Sequence, residues 1–171
     1  MRRPLAILGS AFFLVIAPGT VAGYVPWRIT RWQFQGWSHA SLALQSAGVL
    51  LLAAGVPILL HSFAQFAFRG LGTPAPPFPT QHLVVSGFYR YVRNPMYIAV
   101  VSVILGQGLL FGSVRVLEYG AMVWLAFHLF VLLYEEPTLR RTFGAEYVAY
   151  CTEVRRWLPR LSRAPLSPLP S

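Results

Sequence analysis

Two short stretches hold the groups that could do chemistry. Residues 81–97, QHLVVSGFYRYVRNPMY, are polar, aromatic and arginine-bearing, and they lead straight into an uncharged run; residues 135–137, EEP, put two adjacent carboxylates where the next uncharged run ends. Carboxylates at a helix C-terminus meet the negative end of its dipole. A pair of them at a hydrocarbon boundary needs either arginine partners or a cationic ligand. A salt bridge from Glu135 or Glu136 to Arg93 or Arg140 would meet that need as well as a ligand would. Asn94-Pro95 reads as a helix start: Asn caps free amides, and Pro at the first helical position lacks only a donor that would be orphaned anyway. Those amides suit a carboxylate, and Arg93 beside them strengthens the preference. Tyr89, Tyr91 and Tyr97 offer flat faces for a base or a cation. A ligand with a carboxylate at one end, a central cation, ribose hydroxyls and an aromatic base fits this set. S-adenosylmethionine has those features, whereas the phosphates of a nucleotide such as NADPH are opposed by the paired acids.

The elements that must position these groups are apolar. Of 171 residues 56% are hydrophobic and 11% charged, with a mean hydropathy of +0.55, where a soluble domain carries roughly a quarter charged. The expected fold is all-α, a polytopic membrane protein of about four transmembrane helices with a C-terminal amphipathic interfacial helix, forming a single membrane domain over residues 1–171. The spans are expected at 4–25, kinked at Pro18-Gly19, then 41–66 with Pro57 inside, 95–113 and 116–134. Residues 1–25 also have the basic start and apolar core of a signal peptide, and the apolar segments that follow favour a first span. Residues 24–39, with Tyr24, Trp27, Trp32 and Trp37, read as an aromatic interfacial loop. Gly87 marks a bend, and Gly106-Gln107-Gly108 permits close helix approach. Beyond Pro137, apolar Leu139, Phe143, Tyr147, Tyr150, Val154 and Leu158 recur at three- and four-residue steps, the pattern of a helix lying along the membrane face. Residues 161–171, rich in Pro and Ser, read as a flexible tail.

All 14 basic residues are arginine, and there is neither lysine nor aspartate. With four spans, eleven arginines fall on the side of the termini and the 69–94 loop, and three (Arg28, Arg31 and Arg115) on the other. The positive-inside rule then puts both termini, the polar loop and the acid pair in the cytoplasm, with the bacterial inner membrane as the expected location. The arginines flank apolar runs and form no stripe, which argues against nucleic acid despite a net charge of +9. Cys151 is the only cysteine, which excludes an intrachain disulfide and a multi-cysteine metal site; no metal ligand set is expected.

LVVSGFYRYVRNPMY followed by EEPTLRRTFGAEYVAYCTEVRRWLP resembles the isoprenylcysteine carboxyl methyltransferase and phospholipid methyltransferase superfamily of integral-membrane enzymes. The ordered pattern is G-x-Y, R-[H/N]-P-x-Y, a spanning hairpin, E-E, then F-G-x-x-Y-x-x-Y. It covers residues 71–160, so 1–68 are two generic spans and 69–160 a methyltransferase-like core. The resemblance implies a site for S-adenosylmethionine made by Gln81, His82, Leu83, Val84 and Tyr89, by the helix start Asn94, Pro95, Met96 and Tyr97, and by Glu135 with its neighbour Glu136. Arg93 is a positioning candidate, and the catalytic residues are not defined. Asn94 stands where many eukaryotic members have His. In the prenylcysteine enzymes an arginine one turn before the acid orients the substrate carboxylate; here that position is Val131. His128 nearby reads as a hydrogen-bonded core residue ahead of a catalytic base. The implied activity is methyl transfer to a lipid-like or prenylcysteine-like acceptor, with membrane lipids as partners. A membrane reductase using NADPH and a non-catalytic membrane module remain as alternatives.

Overall fold

The computed structural model describes residues 12, 15–35, 41–65 and 83–160. Gln81, His82, residues 4–11, 13 and 14 of the first expected span and the 161–171 tail lie outside them. The described chain is all-helical, with no strand among those residues. A π-helical turn, Gly19–Tyr24, runs into α1 (Val25–Thr30). Helix α2 spans Ser41–Gln65, α3 Pro95–Phe111 and α4 Val114–Phe130. A second π-helical turn, Val131–Glu135, joins α4 without a break to α5, Glu136–Glu153, which kinks at Gly144 (φ 51°, ψ −123°).

Helix α3 is the centre of the molecule. Its Met96, Ala99, Val100, Val103 and Ile104 are buried against Leu59 and Phe63 of α2, Val116 of α4 and Ala22 of the first π turn. Helices α2 and α3 lie antiparallel and almost backbone to backbone. A Cβ on Gly48 would stand 2.7 Å from the Gly106 carbonyl, so the close approach expected of the Gly106 segment is realised. Outward faces are apolar instead of polar, with Leu50 69% and Leu133 76% exposed. Among the described residues two helices are long and apolar enough to cross a bilayer, Leu42–Gln65 and Val114–Glu153; Pro95–Phe111 is shorter. At 17 residues α3 spans about 26 Å, less than the ~30 Å of a hydrocarbon core.

Four expectations need correction. Helix continues through the first part of the 24–39 segment as far as Thr30, where Arg31 (φ 53°) and Trp32 (φ 54°) end it; Arg31 lies over the Trp27 ring at 4.7 Å. At the other junction Pro137 does not end a helix. Glu136 N–H reaches back five residues to the Val131 carbonyl, and Thr138 Oγ1 donates to Tyr134 O at 2.7 Å, so proline's missing donor is absorbed in a π turn. The acid pair therefore does not sit at a helix C-terminus, and the dipole argument for it falls. Asn94 makes no side-chain cap on α3; its amide is used elsewhere. Finally, Leu158 is not on a helix, since α5 ends at Glu153 and Leu158 is exposed.

The first π turn shows how backbone polarity is handled in an apolar interior. Val25 N–H bonds Thr20 O in π register, and Pro26 has no N–H, so the carbonyls of Val21 and Ala22 lose their partners. Neighbouring helices replace them: Gln107 Nε2 donates to Ala22 O at 2.6 Å and Tyr119 OH to Val21 O at 3.0 Å. At the opposite end, the C-terminus of α2 grips the bend before α3. Ser86 Oγ donates to Gln65 Oε1 at 2.8 Å, and Gly87 (φ 63°) leaves no room for a Cβ, which would lie 2.5 Å from His61 Nε2.

Gln107→Leu is therefore expected to lower stability by about 1–2 kcal/mol, and Tyr119→Phe by less. Thermal unfolding of the detergent-solubilised protein measures this, and unchanged midpoints would refute the proline account. Gly87→Ala is expected to cost roughly 1–3 kcal/mol through its left-handed backbone and the His61 contact. The same melt checks it, with Gly23→Ala as a control, since a Cβ there meets nothing within 4 Å.

Candidate functional site

The polar connection, the second π turn and α5 converge on a cavity of about 70 Å³, or about 510 Å³ when the open space at its mouth is counted. Leu83, Val84, Tyr89, Arg93 and Asn94 line one side, and Val131, Glu135, Glu136, Leu139, Tyr147 and Tyr150 the other. Consecutive helical residues point about 100° apart, so the two acids meet different partners although they are adjacent in sequence.

Glu136 is a structural anion. Its side chain is 8% exposed, with Arg93 Nη1 at 3.1 Å and the fork of Arg156, Nε at 2.6 Å and Nη2 at 2.9 Å, closed on both oxygens. Hydrogen bonding to Glu136 raises the Arg156 pKa. Arg93 Nη1 also donates to Cys151 Sγ at 2.8 Å, and its buried Nε has no partner among the described residues. Glu135 differs. Its Oε2 accepts from Tyr97 OH at 2.7 Å, and no arginine among the described residues pairs with it.

The tyrosines frame this acid. Tyr150 OH donates to the Tyr89 carbonyl at 2.6 Å and ties α5 to the connection. Burial, with the charge of Glu135 second, pushes the Tyr89 phenol well above its ordinary pKa, so it stays protonated. Tyr97 packs on Phe127, with ring centroids 4.7 Å apart.

Of the residues singled out in the sequence, Leu83, Val84, Tyr89, Arg93, Asn94, Glu135 and Glu136 share the cavity, and Tyr97 reaches it through Glu135. Pro95 and Met96 are buried in the first turn of α3, Met96 in the core cluster. The Asn94 amide donates to Arg156 O at 3.1 Å, so this donor is turned to the chain itself. The salt-bridge reading holds for Glu136 with Arg93, but the second cation is Arg156 and not Arg140. His128 is hydrogen-bonded as expected: its Nδ1 accepts from Trp157 Nε1 at 3.0 Å, and it stacks on Trp124. Sequence reasoning missed Leu139, Tyr147 and Tyr150 as lining groups. Their helical spacing was visible but fitted a membrane-facing stripe equally well.

The donor set suits S-adenosylmethionine. The half-buried Glu135 carboxylate, which no arginine among the described residues contacts, matches a sulfonium, the unpartnered Arg93 Nε matches a carboxylate, and tyrosine rings line the same cavity.

No curated protein and no solved structure matches the chain. The family model "Phospholipid methyltransferase" matches residues 43–146, which take in α2, the connection, α3, α4, both acids and the first part of α5. The chain therefore belongs to the phospholipid methyltransferase family of integral-membrane methyltransferases, within the superfamily that its motifs resemble.

Proposed function

We propose that this protein moves a methyl group from S-adenosylmethionine to a lipid-like acceptor that reaches the site laterally from the bilayer. Glu135 carries the reading. It is a carboxylate beside an apolar interior, bonded to the Tyr97 phenol and to no arginine among the described residues. Partial burial makes a carboxylate with no cation in contact costly to ionise, and a sulfonium placed against it would favour its charged form.

In this proposal S-adenosylmethionine, when bound, supplies an electrophilic methyl on a positively charged sulfur, open to in-line displacement. Glu135, oriented by Tyr97, holds the cation. Arg93 Nε receives the carboxylate end, and the start of α3 at Asn94, Pro95 and Met96 belongs to the cofactor site by resemblance. Tyr89, Leu83 and Val84, with Gln81 and His82 by resemblance, take the nucleoside. Val131 and Leu139 keep water from the reacting atoms. Positioning and water exclusion of this kind lower a barrier by on the order of several kcal/mol.

Val131 lines the cavity where an acceptor carboxylate would need an arginine, and both nearby arginines are engaged with Glu136. A lipid head group without a carboxylate therefore fits better than a prenylcysteine. An amine acceptor must lose a proton, and no histidine is among the described residues that line the cavity. The arginine distribution supports four spans, with the termini and the site on the cytoplasmic side. The alternatives fit less well: NADPH would bring phosphates towards Glu135, and a bracing module explains Glu136 but not Glu135.

Glu135→Gln is expected to weaken S-adenosylmethionine binding by roughly ten- to a hundredfold, the equivalent of ~1.4–3 kcal/mol for a lost charged contact. Binding of the neutral S-adenosylhomocysteine should fall less, and the unliganded melting midpoint should hold. Calorimetric titration of both ligands and of NADPH checks this. Equal affinity of wild type and variant for S-adenosylmethionine would refute the site, and binding of NADPH alone would favour a reductase.

A further inference from the structure

Beyond α5 the chain turns back on itself. Val154 is extended (φ −116°, ψ 127°), and residues 154–160 run along the connection that precedes α3. Arg93 N–H donates to Arg155 O and Arg160 N–H to Tyr91 O, both at 2.9 Å. The Asn94 amide holds Arg156 O, and the Trp157 indole is fastened to His128 on α4. This strap delivers one side chain to the site, the Arg156 guanidinium, as a two-point fork on Glu136.

We propose that Arg156 is a positioning residue that sets the charge balance of the site. By gripping both oxygens of Glu136 it withholds that acid from the ligand and leaves Glu135 as the carboxylate open to a cation. The inference rests on the cofactor reading given above and adds a selectivity element to it. Arg93 does not do this alone: it touches Glu136 through Nη1, an atom it shares with Cys151 Sγ. A single contact lets a carboxylate turn, whereas a fork fixes its plane. With Arg156 present the two arginines balance the two acids. Without it the group carries one net negative charge, and Glu136 becomes available to a cation. The consequence is a change in preference between cationic and neutral ligands, not merely a loss of affinity.

The test is titration of the full chain in detergent with S-adenosylhomocysteine, a neutral thioether, and sinefungin, which carries an amine where the sulfonium stands. Arg156→Gln is expected to shift the ratio of the two dissociation constants towards sinefungin on the order of tenfold, the scale of one charge at close range in a partly screened site. Arg156→Lys keeps the charge and should hold the wild-type ratio while loosening both ligands. Glu136→Gln should move the ratio the opposite way. Loss of folding cannot produce opposite shifts in two variants. Where Arg156→Gln alone fails to fold, the double variant Arg156→Gln/Glu136→Gln, which removes both halves of the fork, should return the ratio to the wild-type value, whereas a mere brace would leave it at the Glu136→Gln value. Equal weakening of both ligands in every variant would reduce Arg156 to a brace and overturn the proposal. An unmoved ratio, with good binding by the wild type, would overturn it as well and leave the cofactor reading standing. Failure of the wild type to bind either ligand would overturn both.

Discussion

The architecture depends on one buried anion, Glu136, held between two arginines that arrive from opposite directions in the chain. Arg93 comes from the connection before α3 and Arg156 from the strap after α5, 43 positions before the acid and 20 after it. A buried ion triad adds little net stability, because desolvating three charges cancels much of their attraction. Leaving one charge unmatched is expensive, however, so the triad strongly disfavours arrangements in which the three segments do not meet. It acts as a registry device: it fixes which parts of the chain surround the cavity more than it deepens the free-energy minimum.

Backbone polarity sets the second constraint. In an apolar surround each carbonyl without a partner costs free energy, yet proline falls within helix at Pro26, Pro57 and Pro137. At Pro26 and Pro137 a π turn adjoins the proline, whereas Pro57 lies in the uninterrupted α2. Near Pro26 the freed carbonyls are met from other helices, by Gln107 and Tyr119, which pins the N-terminal segment against α3 and α4. Near Pro137 the π turn holds the two acids at the junction of a helix that runs on into α5. A clean break there would have freed α5 from α4. Continuity instead brings Tyr147 and Tyr150 back to the connection, where Tyr150 locks Tyr89.

Much of this was legible in the sequence, and the misses share a cause. The α2 and α3 starts, the bend at Gly87 and the meeting of Tyr97 with the acid pair followed from capping logic, hydropathy and motif order, because each is a local signal or one carried by a long uncharged run. The continuation of helix through Pro137 was not legible, since the compensating Glu136-to-Val131 bond is a choice of register that leaves no mark on composition. Arg156 was invisible for another reason. It lies past a helix end in a stretch of ordinary polar character, and only the extended turn at Val154 points it back at the site. Asn94 shows how a correct local rule can mislead: its residue type suits a cap, but tertiary pairing with Arg156 takes the amide first.

The split fate of two identical side chains follows from these same constraints. Both acids sit at one junction with the same arginines nearby, so composition alone would treat them alike. Helical geometry aims them about 100° apart, which puts Glu136 within reach of Arg93 and the strap and turns Glu135 to Tyr97. A phenol satisfies one oxygen of a carboxylate without neutralising it. Among the described residues no arginine contacts Glu135, so although two arginines and two acids cancel in sum, one carboxylate of the set is left open. A carboxylate already forked by arginine would gain little from the arrival of a cation. The arginines that complete Glu136 are therefore also what make Glu135 the distinctive group, since they absorb one negative charge and keep away from the other.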